Sequence, residues 1–258
     1  TYDIAKNDNL QRTLMRNGQL RGMDAIIGPT YASQITAAAE WAMQDSVLTV
    51  IPFSSSVSDI DTNPYLMQFN PSYDMEAQVM AQYLAQKGDS VNCVLIRAQD
   101  NDIPKSIRSL HEALISQHVP YTYTTIHDIL VDSIESAFKD SVENIIIFNT
   151  EKYSNLTTLM SHLLPWVSSK NITLYSRYSW QNEKILMNQI YTSVFAYADS
   201  IDPAYTEAFD SYFHHTLSST LPRYDLLGYD LTSQVIEILT TDSMTSYQGL
   251  QSAIRYER

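Results

Sequence analysis

The chain has 258 residues, 16 of them basic and 29 acidic, for a formal charge of −13. Binding to nucleic acid requires clustered Lys and Arg to neutralise phosphates, and the sequence has no such cluster, so that class of function is excluded. The apolar fraction is 44%, and no run approaches the 18 or more apolar residues of a membrane span, so the composition is that of a soluble protein kept monodisperse by its charge.

At this length the chain can bury one large core or two medium ones. No signal peptide is visible at Thr1, and any export signal is expected to have been removed. Cys93 is alone and lies in an apolar run, so it reads as a small core residue. Such sparse cysteine leans towards an exported protein. The 18 tyrosines suit clefts and cores equally.

In chain order, Thr1–Asp3 is expected to be extended and Ile4–Asn17 helical, with Leu10, Leu14 and Met15 on one side and Gly18 as the stop. Ala25-Ile26-Ile27 predicts a short strand that ends at Gly28-Pro29. Ile35, Ala38, Ala39 and Ala42 then recur at helical spacing, widened by Trp41 and Met43. Val47–Ile51 is β-branched and apolar, as a strand covered on both faces would be. This βαβ unit sets the loops Gly28–Ser33 and Phe53–Ser56 side by side at the carboxyl edge of a parallel sheet, where such sheets bind ligands.

A turn at Asp59–Pro64 and a strand at Tyr65–Phe69 follow, ending at Asn70-Pro71. Tyr73–Lys87 predicts a helix capped by Ser72 and closed by Gly88, with Met75, Val79, Met80, Tyr83 and Leu84 as its stripe. The alternation then restarts. Strands are expected at Val91–Ile96, Tyr121–Ile126, Asn144–Phe148, Ile172–Tyr175 and Ser193–Tyr197. The helices between them are expected at Ile103–Gln117 (Ile107, Leu110, Leu114 and Ile115 inward), Ile129–Phe138, Tyr153–Val167 and Ile185–Ile190. This rhythm implies mostly parallel sheets with helices on both faces.

The tail changes character. Pro203–Thr216 carries the aromatic stripe Tyr205, Phe209, Tyr212 and Phe213, and Tyr224–Thr240 the aliphatic stripe Leu227, Leu231, Val235, Ile238 and Leu239. Tyr247–Ile254 offers a third helix. Two sheets of this size favour two α/β lobes, with residues 1–69 plus 200–258 as the first and 70–199 as the second. The crossings between them fall near 69–72 and 199–203.

With these elements placed, the sequence resembles the type I periplasmic-binding-protein superfamily, the fold of branched-chain amino acid receptors, over nearly its whole length. Asp24-Ala25-Ile26-Ile27-Gly28-Pro29 looks like the strand and turn ahead of its first ligand loop, Ile51-Pro52-Phe53-Ser54-Ser55-Ser56 is similar to its second ligand loop, and Phe69-Asn70-Pro71-Ser72 looks like its crossover into the second lobe. Leu174-Tyr175-Ser176 through Trp180, Phe209 to Phe213, Pro222 and Gly228-Tyr229-Asp230 look closer to a Bacteroidetes branch that accompanies peptidoglycan-binding LysM repeats. The ordered set carries the resemblance; no single motif does.

The resemblance implies two Rossmann-like α/β lobes. The family opens with a βα unit ahead of the part matching Tyr2-Asp3 and continues past the region of Arg258. An incomplete first-lobe sheet, or a strand supplied by a neighbouring chain, is therefore expected.

Ser33, Ser54, Ser55 and Ser56 are the leading site candidates, because hydroxyls and free N–H groups at strand ends make sockets for a carboxylate. The bland account is that serines cap helices and fill turns. The resemblance puts the family's contacts to a ligand's carboxylate and amino group around these loops. It also points, in the opposing lobe, to Gln99–Asn101, Asn149-Thr150 and Arg177-Tyr178. Asp100 stands where the family uses an acid, but the family's acidic and tyrosine ligands have no clear counterpart.

Enzyme readings fare worse. His214-His215 would point to different faces of a helix, and His111, His118, His127 and His162 lack carboxylate or cysteine partners at ligand spacing. There is no nucleophile elbow, Walker loop or dinucleotide fingerprint. Asp59/Asp61 and Asp100/Asp102 read as solvated turn residues. Asn155-Leu156-Thr157 and Asn171-Ile172-Thr173 match a glycosylation pattern that matters only in a eukaryotic secretory setting.

The expected function is a non-enzymatic, extracytoplasmic solute-binding module, periplasmic or outer-membrane-associated, without cofactor or metal. It would hold a small polar molecule, an amino acid or cell-wall fragment, in a cleft between two lobes and work with transporter or envelope proteins. The alternative is a ligand-independent envelope module linked to peptidoglycan through a domain outside this chain. A hydrolase or transferase on the same fold comes third, with no nucleophile to name.

Overall fold

The computed structural model describes residues 2–98, 103–131, 134–150, 152–177, 187–192, 201–214 and 224–240. The chain divides into two compact units, Thr1–Pro71 with Phe195–Arg258, and Ser72–Val194.

The first unit holds a three-stranded parallel sheet, β1 (Ala25–Ile27), β2 (Leu48–Ile51) and β3 (Leu66–Gln68), in that spatial order. Alternation along β2 divides its core. Leu48 and Val50 pack with Met67 against Leu231, Val235 and Ile238 of α8 (Tyr224–Thr240). Ile51 packs with Leu66 against Ile35 and Ala39 of α2 (Ile35–Asp45) on the other face. All four β2 residues are buried, which is why the segment reads as a continuous apolar run.

Helix α1 spans Asp8–Arg16, later than the sequence suggested, because Asn7 caps it by accepting the Leu10 N–H at 3.1 Å. Its apolar side is poorly covered: Leu10 is exposed, Leu14 and Met15 are half-buried, and Gln11 is its one buried residue. In α2, Trp41 is buried as expected but Met43 is exposed.

The second unit is a five-stranded parallel sheet in the order β5-β4-β6-β7-β8. The strands are β4 (Val91–Arg97), β5 (Tyr121–Thr125), β6 (Glu143–Phe148), β7 (Ile172–Arg177) and β8 (Asn188–Thr192). Cys93, Leu95, Ile145, Ile147 and Tyr175 face α3 (Tyr73–Lys87) and α4 (Lys105–Ser116). Val94, Ile96, Ile146, Phe148 and Leu174 face α6 (Tyr153–Leu163).

Of the stripe expected on α3, Met80 and Leu84 are buried and Tyr83 packs against the core, but Met75 and Val79 are 62% and 68% exposed and Ala77 and Ala81 are buried in their stead. The two alanines let α4 approach closely, so small side chains win the inward positions over larger apolar ones. In α4 the same choice buries Ala113 and leaves Ile115 exposed.

Two further expectations are corrected. The segment expected as one helix over Ile129–Phe138 contains the end of α5 (Ile126–Val131) and a separate 3-10 turn, Ile134–Ala137. Ile126, Ile134 and Phe138 all join the core on the α6 face. Within the helix expected at Ile185–Ile190, residues 188–190 belong instead to β8, held in register with β7 from Thr173↔Asn188 to Arg177↔Thr192. Tyr191 and Thr192 favour extended backbone, and the open edge of β7 supplies the partner.

Helix α7 is Pro203–Phe213, capped by Asp202, which accepts the Ala204 N–H at 2.9 Å. The expected strand at Ser193–Tyr197 and helix at Tyr247–Ile254 lie outside the described residues. Among the described residues, no helix is long and apolar enough to cross a membrane.

Candidate functional site

In a parallel sheet every strand delivers its following loop to the same edge. In the first unit, Ile27 is in register with Val50, and the Gly28 N–H donates to the Val50 carbonyl at 2.8 Å. The chain therefore leaves β1 and β2 side by side, as the spacing of the two loops required.

Ser33 lies in a 3-10 turn, Ala32–Gln34, that leads straight into α2, so it stands at the amino-terminal end of a helical segment. It is exposed, and its hydroxyl has no protein partner among the described residues. Ser54 behaves as the bland account has it: its Oγ donates to the Ser56 carbonyl at 3.0 Å and accepts the Ser56 N–H at 3.1 Å. Ser55, half-buried, has a hydroxyl without a protein partner among the described residues. The loop is fixed at both ends. Phe53 meets the Tyr224 ring edge-to-face at 5.8 Å, and the Val57 N–H donates to Gln68 Oε1 at 3.1 Å. Gln68 was not singled out from sequence, since a polar residue closing a strand carries no distinguishing signal.

In the second unit, Asn149 and Thr150 follow β6, and Arg177 closes β7. Thr150 is buried, and its Oγ1 accepts the Lys152 N–H at 3.2 Å and Asn155 Nδ2 at 3.5 Å, which holds the entry to α6. The Oδ1 of Asn149 is shielded from solvent and has no hydrogen-bond partner among the described residues. The same holds for the Oγ of Ser176, a residue only 2% exposed. Unmatched buried polar atoms are costly, and each is a point that an incoming group would relieve. Ser176 was missed because a serine inside a strand segment carries no signal by itself. Asp100 and Tyr178 lie outside the described residues, and for Arg177 the backbone register alone is described.

The histidines have local duties. His111 Nδ1 lies 2.7 Å from the Tyr121 hydroxyl, with the Tyr123 ring 5.1 Å away. His214 ends α7 in a left-handed conformation rather than continuing it, and His215 lies outside the described residues. Among the described residues, no group of three His, Cys, Asp or Glu could hold a metal ion. Cys93 is buried in β4, and loss of hydration pushes its thiol up to about 12.

No family model matches the chain. No curated protein matches it in sequence. Solved structures do match. An ABC transporter substrate-binding protein from Desulfitobacterium hafniense, in complex with Leu, is 17% identical with a TM-score of 0.63, over 97% of this chain and 74% of that one. An ABC-type branched-chain amino acid transporter protein from Rhodopseudomonas palustris is 15% identical with a TM-score of 0.66, over 97% and 70%. A solute binding protein of an ABC transporter from the same species, in complex with p-hydroxybenzoic acid, is 12% identical with a TM-score of 0.62, over 99% and 72%. Two all-parallel sheets with helices on both faces, site loops gathered at the strand ends and these likenesses together give the chain the fold of the type I periplasmic binding proteins.

Proposed function

We propose that this chain is an extracytoplasmic solute-binding module, not an enzyme, and that it takes a small polar molecule bearing a carboxylate. The observation that carries the reading is the pair of orphaned buried atoms, Asn149 Oδ1 and Ser176 Oγ, at the ends of β6 and β7. Both accept hydrogen bonds, as an amino or hydroxyl group of a solute would require. In the first unit, the hydroxyls of Ser33 and Ser55, without a protein partner among the described residues, and the helical start after β1 suit a carboxylate. The ligands of two structural neighbours, leucine and p-hydroxybenzoic acid, are of this chemistry. Asp100, Arg177 and Tyr178 remain candidates for further contacts.

A thermal-shift screen followed by calorimetry tests the reading, with amino acids, hydroxybenzoates, short peptides and cell-wall fragments as probes. The expected result is a raised melting temperature with at least one carboxylate-bearing compound, and binding weakened about tenfold by Ser176→Ala or Asn149→Leu. A well-folded chain indifferent to every probe would overturn it. That outcome would favour the ligand-independent envelope module instead.

A further inference from the structure

Ser33 is exposed, yet the residue beside it is buried and tied on three sides. Gln34 is 1% exposed, and its N–H donates to the Tyr31 carbonyl at 3.0 Å. Its Nε2 donates to the Ala5 carbonyl at 3.1 Å, and its own carbonyl accepts Gln11 Nε2 at 2.9 Å. The last two bonds reach back along the chain, to the segment ahead of α1 and to α1 itself. That segment meets the turn again where Lys6 Nζ stands over the Tyr31 ring, 5.0 Å from its centroid. Ala5 itself has a φ of 43°, in the left-handed region that a side chain rarely adopts, and its N–H donates to Asp3 Oδ1 at 3.1 Å.

As a device for stability this arrangement is poor. Each glutamine uses its donor and strands its acceptor: the Oε1 atoms of Gln11 and Gln34 are shielded from solvent without a partner among the described residues. A stranded buried acceptor costs at least as much as one neutral hydrogen bond contributes. A methionine at either place would fill similar space without that cost. The left-handed Ala5 adds to the unfavourable side. What the ties do achieve is orientation. They pin both ends of the Tyr31–Gln34 turn to a segment remote in sequence, with Ser33 between them. A turn already fixed need not be ordered when a ligand arrives, and that ordering is a principal loss on binding.

We propose, on the basis of the solute-binding reading, that Gln34 and Gln11 are positioning residues of the solute site. They touch no solute. They hold the turn so that the Ser33 hydroxyl meets a carboxylate without rearrangement, and the unmatched acceptors are tolerated for that reason. A merely structural role makes the opposite forecast, since removing bonds that hold the fold together lowers stability along with everything else.

The test is a double-mutant cycle between Gln34→Met and Ser33→Ala, read by calorimetry with L-amino acids and hydroxybenzoates as probes and by thermal unfolding without them. Gln34→Met is expected to weaken binding about tenfold and to leave the melting temperature unchanged or raised. It should also speed hydrogen exchange at Ile35, whose N–H donates to the Ala32 carbonyl and closes the turn. In the Ser33→Ala background the same change should weaken binding no further, because the glutamine acts through Ser33. Should Gln34→Met not fold, Gln11→Met cuts the other bond and should weaken binding severalfold with the same dependence on Ser33. An undiminished loss in the Ser33→Ala background, unchanged affinity, or a melting temperature that falls in step with affinity would overturn the proposal. If the unmodified chain binds none of the probes, the solute-binding reading fails and this inference with it. If it binds one and the cycle is additive, this inference fails alone.

Discussion

Gln68 holds Val57 from across the sheet edge: its Oε1 accepts the Val57 N–H at 3.1 Å, while its Nε2 donates to the Asn70 carbonyl at 2.8 Å. One side chain thus fixes the exit of the serine loop and the end of β3 together. Gln68→Leu should cost about 1–3 kcal/mol in urea unfolding and speed hydrogen exchange at Val57. Gln68→Glu keeps the acceptor and loses the donor, and should fall between. Unchanged exchange at Val57 in the leucine variant would show that the loop is held elsewhere.

The acid limb of stability should carry the signature of Glu143. Burial alone pushes its carboxyl up, but the hydrogen bonds from Lys87 at 2.7 Å and Thr173 at 2.7 Å, with the Lys87 charge, hold it below the usual carboxylate range. A folded-state value below the unfolded one means that the stabilisation is complete above the unfolded value and disappears as pH falls through the folded one. The hydrogen bond to Glu143 likewise raises the Lys87 ammonium, whose contribution is complete below its unfolded value and lost as pH climbs through the folded one. Urea midpoints measured against pH should therefore fall faster on acidification for the native chain than for Glu143→Gln. Parallel curves would show that the pair contributes nothing measurable.

Asn144 is the polar centre of the second unit. Fully buried, it accepts from Asn92 Nδ2 and the Lys139 N–H, both at 2.9 Å, and donates to the Lys139 carbonyl at 3.0 Å. Asn144→Leu strands several of these groups and should destabilise by about 2–4 kcal/mol, seen as a lower denaturant midpoint with an unchanged slope. A loss below about 1 kcal/mol would mean that the groups find other partners.

Ser176→Ala should separate stability from binding. Removing an unmatched buried hydroxyl should leave stability unchanged or raise it by up to about 1 kcal/mol. The same change should weaken solute binding. A clear loss of stability would show that the hydroxyl is bonded in the folded protein.

Cys93, with its thiol pushed up to about 12 by burial, stays protonated at neutral pH and shielded in β4. A thiol reagent should label it only through unfolding, at a rate that tracks global stability across denaturant concentrations. Rapid labelling of the native chain would show that the β4 face opens locally.

The sequence determined what local chemistry controls. Ser72 and Gly88 bracket α3, Asp202 and Pro203 start α7, and the β-branched run at β2 is buried on both faces, because caps and alternation act over a few residues. The placing of the serine loop at a sheet edge followed from the same periodicity. Tertiary structure decided the rest. Ala77 and Ala81 displaced Met75 and Val79 from the core because α4 packs closely, a fact no residue of α3 records. Residues 188–192 became a strand because β7 offered them an edge. The orphaned atoms of Ser176, Asn149, Gln11 and Trp41 are a matter of missing partners, and partners are set by folding rather than by neighbours in sequence.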